Sequence, residues 1–301
     1  GLSVTLYPFI MMDIPTGNSL LNPYGGTGQP VYPWRGRITC NPAIGQPSTA
    51  DKTSTARSQI DLFFGDTNPE DIGWDSSELK TTYSGLNQWR YRRFILTMAE
   101  IAKRADADEF LIGSEMVGMT RLRDQNNAFP AVEKLIELAA DVRSKLGSTV
   151  KISYAADWTE YHSHRPNDGT GDVYFNMDAL WSNANIDYIG IDNYFPLTDW
   201  RETNTHLDLI EGYTSEYDAS YLNSNIEGGE YYDWFYASTE DRENQNRTPI
   251  TDGTHNKAWV FRQKDFRNWW QNNHVNRPAG AESGGNTSWS PRSKPIVFTE
   301  L

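Results

Sequence analysis

Nearly all-apolar segments alternate with longer stretches of helical periodicity along this chain. Such segments are typical of strands that are buried on both faces of a sheet. The predicted strands are residues 4–10, 109–114, 150–155, 186–192 and 294–299. The sequence therefore predicts five buried strands, separated by segments long enough to hold helices.

The helical stretches carry the expected start and stop residues. A helix is predicted over 51–64, ending at Gly65, and a second one over about 87–105. A third has Asn127 near its start, Pro130 in its first turn and Gly147 at its end, and a fourth lies near 259–271. Alternating strands and helices indicate an α/β fold with a parallel sheet covered on both faces.

A closed barrel is favoured over an open nucleotide-binding sheet. The open sheet should show a glycine-rich fingerprint at its first strand–helix turn, whereas the glycines at 25, 26 and 28 fall in a long loop. The segments 11–50 and 197–290 are rich in turn-forming, polar and aromatic residues. We expect them to be long insertions on the barrel rim.

Composition narrows the possible functions. Hydrophobic residues make up 38% and charged residues 22%, as in a folded globule. The net charge of −13 disfavours binding to a phosphate backbone, so nucleic acid is not an expected partner. The single cysteine excludes an internal disulfide, and no apolar run is long enough for membrane insertion. No motif calls for a cofactor.

Carboxylates follow the predicted strands at the points where the strands end. Active sites of parallel barrels lie at this rim. The strand-end acids are Asp13, Glu115, Asp157, Asp192 and Glu300. Two glutamates facing each other across a cleft are the usual apparatus of glycoside hydrolysis, although a strand-end glutamate can also simply cap a loop.

Aromatic residues, two histidines and a serine could carry other kinds of chemistry. Aromatic residues, which make up 13% of the chain, could stack on sugar rings or fill the core. His162 and His164 have no third ligand at motif spacing, so metal binding is not predicted and the pair should be at the surface or in contact with substrate. Ser114 lacks the glycine spacing of a serine-hydrolase elbow.

Several stretches resemble the TIM-barrel-like, glycoside-hydrolase-like domain of gene transfer agent and phage tail baseplate host-specificity proteins. They include VTLYPFIMMDIP, YPWRGRITC, ADEFLIGSEM, KISYAADWTEY, IDYIGIDNYFPLTDW and KPIVFTEL, together with the long insert around YYDWFYASTEDRENQNR. The chain is also similar to the wider clan of retaining glycosidases whose catalytic glutamates follow the fourth and seventh strands.

The resemblance implies roles for individual residues. Glu115 takes the acid/base place and Glu300 the nucleophile place, while Tyr194 matches the residue that hydrogen-bonds the nucleophile. Ser114 stands where many members have asparagine, and the arginine after the clan's second strand is not expected here. The predicted catalytic residues are Glu115 and Glu300, and the predicted substrate-binding residues are Asp13, Trp34, Ser114, Asp157, Trp158, Tyr161, Asp192 and Tyr194.

Under that resemblance, the five strands correspond to strands three to seven of a (β/α)8 barrel. We then expect residues 1–301 to be one TIM-barrel-like domain, excerpted from a longer multidomain chain, with a long insertion at about 197–290. Strands one, two and eight would lie outside the chain.

Two functions remain open at this point. The first is a retaining glycosidase in a phage-like tail particle, with a cell-envelope polysaccharide as substrate and other baseplate proteins as partners. The second is a non-catalytic glycan-binding or structural baseplate module that keeps the fold. The first predicts that the carboxyl groups of Glu115 and Glu300 lie about 5–5.5 Å apart.

Overall fold

The computed structural model describes all 301 residues. The strands are β1 (Thr5–Leu6), β2 (Ile72–Asp75), β3 (Lys80–Tyr83), β4 (Glu109–Ser114), β5 (Lys151–Asp157), β6 (Ile189–Asp192), β7 (Trp234–Phe235), β8 (Thr248–Pro249) and β9 (Ile296–Glu300). The helices are α1 (Ser54–Phe64), α2 (Tyr91–Arg104), α3 (Val117–Thr120), α4 (Pro130–Leu146), α5 (Asp178–Trp181), α6 (Leu207–Ile210), α7 (Ala219–Ser224), α8 (Thr239–Glu243) and α9 (Phe266–Gln271). None of the helices has the length and apolar character that a bilayer crossing requires.

The centre of the fold is a five-stranded sheet in the order β1–β4–β5–β6–β9. All four strand pairs are parallel, and sequence order equals spatial order, as in a barrel wound in one direction. The strands β4, β5 and β6 are buried almost throughout. The five predicted strands and the α/β TIM-barrel-like fold class are thus confirmed, although β1 is only two residues long.

Three long helices pack beside the sheet and follow their sequence signals closely. The helices α1 and α4 end at Gly65 and Gly147, whose φ angles of 73° and 79° are easily reached only by glycine. Pro130 opens α4. The helix α4 contacts both α1 and α2, so their apolar stripes form one layer.

Two elements differ from the sequence prediction. The strands β2 and β3 form an antiparallel hairpin that the sequence analysis missed, because their mixed polar faces lack the apolar run of a buried strand. The predicted helix near 259–271 begins only at Phe266, where the Asp265 side chain accepts a hydrogen bond from the Asn268 amide.

The long loop after β1 is held against the first turn of α3. A Cβ on Gly118 would lie 2.6 Å from the carbonyl oxygens of both Gly36 and Ile38, so only glycine permits this approach. A short 3₁₀ turn, Arg35–Arg37, lies at the contact. The packing fixes Trp34 and Arg35 beside the residues that follow β4.

A buried carboxyl group joins the ends of β4 and β5. Glu160 is fully buried and accepts hydrogen bonds from the hydroxyl groups of Thr120 (2.6 Å) and Tyr154 (3.0 Å) and from the Asp157 amide (3.1 Å). The Tyr154 oxygen in turn accepts from the Met116 amide at 2.7 Å. Burial raises the pKa of Glu160 to about 8, with the nearby charge of Asp157 adding to the rise.

The chain divides into two compact units. The first comprises Gly1–Asp192 and Asn273–Leu301, and the second comprises Asn193–Asn272. The second unit holds α6 to α9 and the β7–β8 ribbon, and its buried residues include Tyr221, Val260 and Trp269. The predicted insertion at about 197–290 overlaps this unit.

The sheet should be sensitive to added volume at Gly190. A Cβ at this position of β6 would lie 2.5 Å from the carbonyl oxygen of Tyr154, which is backbone and cannot rotate away. We expect Gly190→Ala to lower the free energy of unfolding by about 1–3 kcal/mol in urea titrations. Gly285→Ala is the control, because a Cβ there meets nothing within 4 Å. Equal stability of the two variants would contradict this packing.

The raised pKa of Glu160 makes stability depend on pH. Between the ordinary value of 4.5 and about 8, the folded chain keeps the Glu160 proton that the unfolded chain has released, so the Glu160 contribution to stability falls as pH rises. We expect Glu160→Gln to gain stability relative to the wild type between pH 5 and 8. Parallel urea titrations at both pH values measure this, and a difference that does not change with pH would refute it.

Candidate functional site

The candidate site lies where the carboxyl ends of β4, β6 and β9 meet. One carboxylate oxygen each of Glu115, Asp192 and Glu300 lies within 4.8 Å of the other two. In a flat sheet, β4 and β9 would be separated by three strand spacings, roughly 14 Å. The sheet therefore curls strongly enough to bring side chains from distant strands together, as in a barrel wall.

Arg35 places a positive charge between the two glutamates. Its Nη2 atom lies 3.0 Å from Oε2 of Glu115 and 3.8 Å from Oε1 of Glu300. The guanidinium also donates to the Ser114 hydroxyl and packs over the Phe9 ring, 4.7 Å from its centroid. The sequence did not predict an arginine beside the pair. The sequence offered only the WRGR stretch at residues 34–37. It lies in a long loop, and the sequence does not show that this loop folds back onto the site.

Two opposing influences act on the pKa of the buried Glu115 carboxyl group. Burial raises the pKa of Glu115, and the charges of Asp192 and Asp157 add to this. The Trp34 indole N–H, which donates to Oε2 at 2.6 Å, and the Arg35 cation act in the opposite direction. The net direction is upward, which favours a carboxyl group that keeps its proton to higher pH than an ordinary glutamate.

Glu115 also has an unusual backbone. Its φ angle is +49°, a left-handed conformation that is costly for a residue with a Cβ. The register of β4 against β5 shifts between Leu111 and Ser114, just before this point. Such outliers cluster at functional sites, where the surrounding structure holds them in place.

Glu300 sits in a more open environment than Glu115. Its side chain is 31% exposed, compared with 8% for Glu115. The two carboxyl groups therefore share a cation but differ in solvation. This asymmetry is what acid/base chemistry with a pair of carboxylates requires.

Asp192 is the third carboxylate and is completely buried. Its Oδ2 atom accepts from the Tyr7 hydroxyl at 2.7 Å and from the Ser114 hydroxyl at 3.3 Å, and its Oδ1 atom accepts from Thr299 at 2.6 Å. Burial raises the pKa of Asp192, and these hydrogen bonds oppose the rise. The sequence does not single out Tyr7, because a tyrosine inside an apolar strand segment is typical of a buried core position.

Several predicted substrate-binding residues are placed differently from the expectation. Ser114 and Asp192 are buried, and the bonds described above are internal. Asp157 is also buried, and its side chain caps a turn by accepting from the amide and hydroxyl of Thr159. Tyr161 is fully buried, which leaves no ring face open to a ligand. Four of the eight predicted substrate-binding side chains are therefore buried.

The remaining predicted residues are more accessible. Trp34 is 43% exposed beside Glu115, Trp158 is half-buried, and Asp13 is exposed in the loop after β1. Tyr194 belongs to the second unit, where it is half-exposed.

The prediction that His162 and His164 lie at the surface or contact substrate was wrong. Both are buried, and burial lowers the pKa of His164 to about 3. The nearby Arg121 and Arg123 cations act in the same direction.

The donor set favours carboxylate chemistry around an arginine. Three carboxylates of this kind could ligate a hard cation. However, Arg35 already supplies positive charge beside both glutamates, and both oxygens of Asp192 accept hydrogen bonds from protein hydroxyl groups. The arrangement fits proton transfer and nucleophilic attack by a glutamate pair.

Comparison with curated sequences and solved structures gives only weak similarity. No curated protein sequence matches the chain. A complex structure of a GH113 β-1,4-mannanase is 23% identical over 39% of this chain and 30% of that chain, with a TM-score of 0.25. Another GH113 β-1,4-mannanase structure is 19% identical over 62% and 40%, with a TM-score of 0.29. The matches thus span 30% and 40% of the mannanase lengths, and at these TM-scores they assign no activity.

The family comparison covers most of the chain. The model described as the GTA TIM-barrel-like domain matches residues 89–301, which include β4 to β9 and both glutamates. The matched region begins after Trp34 and Arg35. Together with the parallel sheet described above, the match over more than half of the chain shows that this protein belongs to the GTA TIM-barrel-like domain family.

Proposed function

We propose that this domain is a retaining glycoside hydrolase that cleaves cell-surface polysaccharide as part of a gene transfer agent or phage-like tail particle. The observation that carries the proposal is the approach of the Glu115 and Glu300 oxygens to within 4.8 Å. Retaining enzymes place their carboxyl groups about 5–5.5 Å apart, whereas inverting enzymes need roughly 6.5–9.5 Å to admit a water molecule.

The two environments favour a division of roles. Glu115, whose pKa is raised by burial, is the general acid that protonates the glycosidic oxygen. Glu300 attacks the anomeric carbon as the carboxylate, forming a glycosyl ester while the leaving sugar departs with the proton. Glu115 then removes a proton from water, which attacks the anomeric carbon and releases Glu300.

Arg35 and Trp34 assist these steps in different ways. Arg35 lies 3.8 Å from Glu300, so its guanidinium can orient the carboxylate that attacks the sugar. Trp34 donates to Glu115 while leaving 43% of its surface exposed, so part of its ring surface can meet the apolar face of a sugar.

The setting in a particle is supported by the family. Its description names the GTA, and a tail component that meets the cell envelope would encounter polysaccharide first. Other tail and baseplate proteins would be its partners, and the released particle its location. The acidic chain, with a net charge of −13, suits a neutral glycan better than a polyanionic one.

A second candidate is a module that binds glycan without cleaving it. It is favoured by the 3.0 Å ion pair between Arg35 and Glu115, since a cation this close stabilises the ionised form of the carboxyl group and opposes its action as an acid. In that case the same cleft would hold a sugar beside Trp34 without transfer of a proton from Glu115.

Removing either glutamate should strongly slow hydrolysis. We expect Glu115→Gln and Glu300→Gln to lower kcat/KM by about 10²–10⁴-fold, because the first removes the proton donor and the second removes the nucleophile. Release of reducing ends from a panel of neutral polysaccharides measures this. Glu137→Gln, on the exposed side of α4, is the matched control and should be unchanged.

Different outcomes separate the two candidates. Added azide should restore glycosyl transfer in Glu300→Ala by replacing the missing nucleophile, and a fluorinated sugar substrate should label Glu300 in the wild type. Binding without hydrolysis in the wild type would support the non-catalytic module. Full turnover in both glutamine variants would overturn the assigned roles.

The Trp34 hydrogen bond should set the pH range of activity. The indole N–H favours the ionised form of Glu115, so Trp34→Phe should raise the pKa of Glu115 further. A general acid with a higher pKa stays protonated to higher pH, and we expect the alkaline limb of kcat/KM to move upward. Trp89→Phe, at an exposed residue, serves as control. A downward shift, or the same shift in both variants, would contradict the assignment.

A further inference from the structure

The second unit contains a cleft that the glutamate site does not use. Its volume is about 380 Å³, within the range of roughly 300–1,000 Å³ typical of small-molecule pockets. All the residues that line it lie between Asp208 and Arg247, within the second unit. The cleft is therefore a property of that unit alone.

Carboxylates and amides give the cleft many hydrogen-bond acceptors. Asp233 and Glu211 are both exposed, and Asp233 uses its Oδ2 atom to accept from the Gly229 amide. The Asn225 side chain donates its NH₂ group to the Tyr221 carbonyl, which leaves the amide oxygen as an acceptor. Asp208 is 4% exposed, and its Oδ2 atom accepts no hydrogen bond.

The only cation among the lining residues is already neutralised. Arg247 Nη2 donates to Asp199 (3.0 Å) and Asp208 (2.7 Å), and Nη1 donates to Glu211 (3.3 Å). Counting Asp208, Glu211 and Asp233 against Arg247 gives a formal charge of −3 + 1 = −2 for the lining. A phosphate, sulfate or uronic acid would meet repulsion here.

Aromatic rings complete the lining. Tyr213 is half-buried and forms a hydrogen bond with the Ser224 hydroxyl, and Trp234 lies beneath the Arg247 guanidinium at 4.4 Å. A ligand suited to this cleft carries several hydroxyl donors, no negative charge, and a C–H surface that packs on the Tyr213 ring. Neutral pyranose sugars have this combination.

We propose that this cleft is a second glycan-binding site, selective for uncharged sugar residues and separate from the Glu115–Glu300 pair. Such a site would hold a polysaccharide on the particle independently of its cleavage. Its existence does not depend on the glutamate pair being catalytic.

The test is calorimetric titration of the full chain carrying Glu300→Gln, which removes the proposed nucleophile and prevents cleavage during the measurement. The probes are cellohexaose, mannohexaose and chitohexaose, with hexagalacturonate as the anionic comparison. We expect saturable binding of at least one neutral probe and none of hexagalacturonate. Absence of binding by all three neutral probes, or preference for hexagalacturonate, would overturn the proposal.

Variants then locate the bound sugar. Glu211→Ala, at an exposed position, should weaken affinity about tenfold, which corresponds to losing one strong hydrogen bond. Glu216→Ala, at an exposed position outside the lining, is the control and should bind normally, while Trp34→Ala reports separately on binding in the glutamate site. Loss of binding in Trp34→Ala with normal binding in Glu211→Ala would place the sugar in the glutamate site and refute the second site.

A cation is the remaining occupant to test. Titration with Ca²⁺ alone should give no saturable heat if the cleft is a sugar site. Saturable Ca²⁺ binding that is lost in Glu211→Ala, without any sugar binding, would show an ion site instead. Binding is measured in the Glu300→Gln variant, which does not depend on hydrolysis. A failure of the second-site proposal can therefore be told apart from a failure of the proposed hydrolysis.

Discussion

Electrostatic repulsion among three carboxylates at the rim of the sheet is the constraint on which the arrangement of the site depends. Glu115, Asp192 and Glu300 lie within 4.8 Å of one another, and each ionised pair at that distance costs about 3.5 kcal/mol at an effective dielectric constant of about 20. The sheet can curl this far only if positive charge or a retained proton offsets the repulsion. Arg35 supplies the charge, and burial of Glu115 favours the proton.

Hydrogen bonds connect the Arg35 guanidinium to the Asp192 carboxylate through Ser114. The guanidinium donates to the Ser114 oxygen, which leaves the Ser114 proton for Tyr7 or Asp192. The Tyr7 hydroxyl is within reach of the same Asp192 oxygen at 2.7 Å. A connected path thus links the cation to the most buried carboxylate. Serine suits this place because its hydroxyl group accepts from Arg35 while its own proton remains available to donate.

The sequence predicted what depends on local pattern. Apolar runs located all five parallel strands, and the barrel rule placed Glu115 and Glu300 at one rim. It could not predict Arg35 or Tyr7, because their roles depend on how far the sheet curls and on a loop that packs through Gly36 against Gly118 of α3. Tyr161 was misjudged for a related reason, since residues following a strand can face either the cleft or the core.

The geometry of Glu115 depends on support from outside the site. A left-handed backbone costs roughly 1–2 kcal/mol for a residue with a Cβ. Here the neighbouring amides are both bonded, that of Glu115 to the Ala155 carbonyl at 2.8 Å and that of Met116 to the Tyr154 hydroxyl at 2.7 Å. The Tyr154 hydroxyl in turn donates to Glu160. The strained Glu115 backbone is therefore linked by hydrogen bonds to a carboxyl group whose pKa is raised to about 8. Ionisation of Glu160 would bring a buried charge into the hydrogen-bond network that holds the backbone next to Glu115.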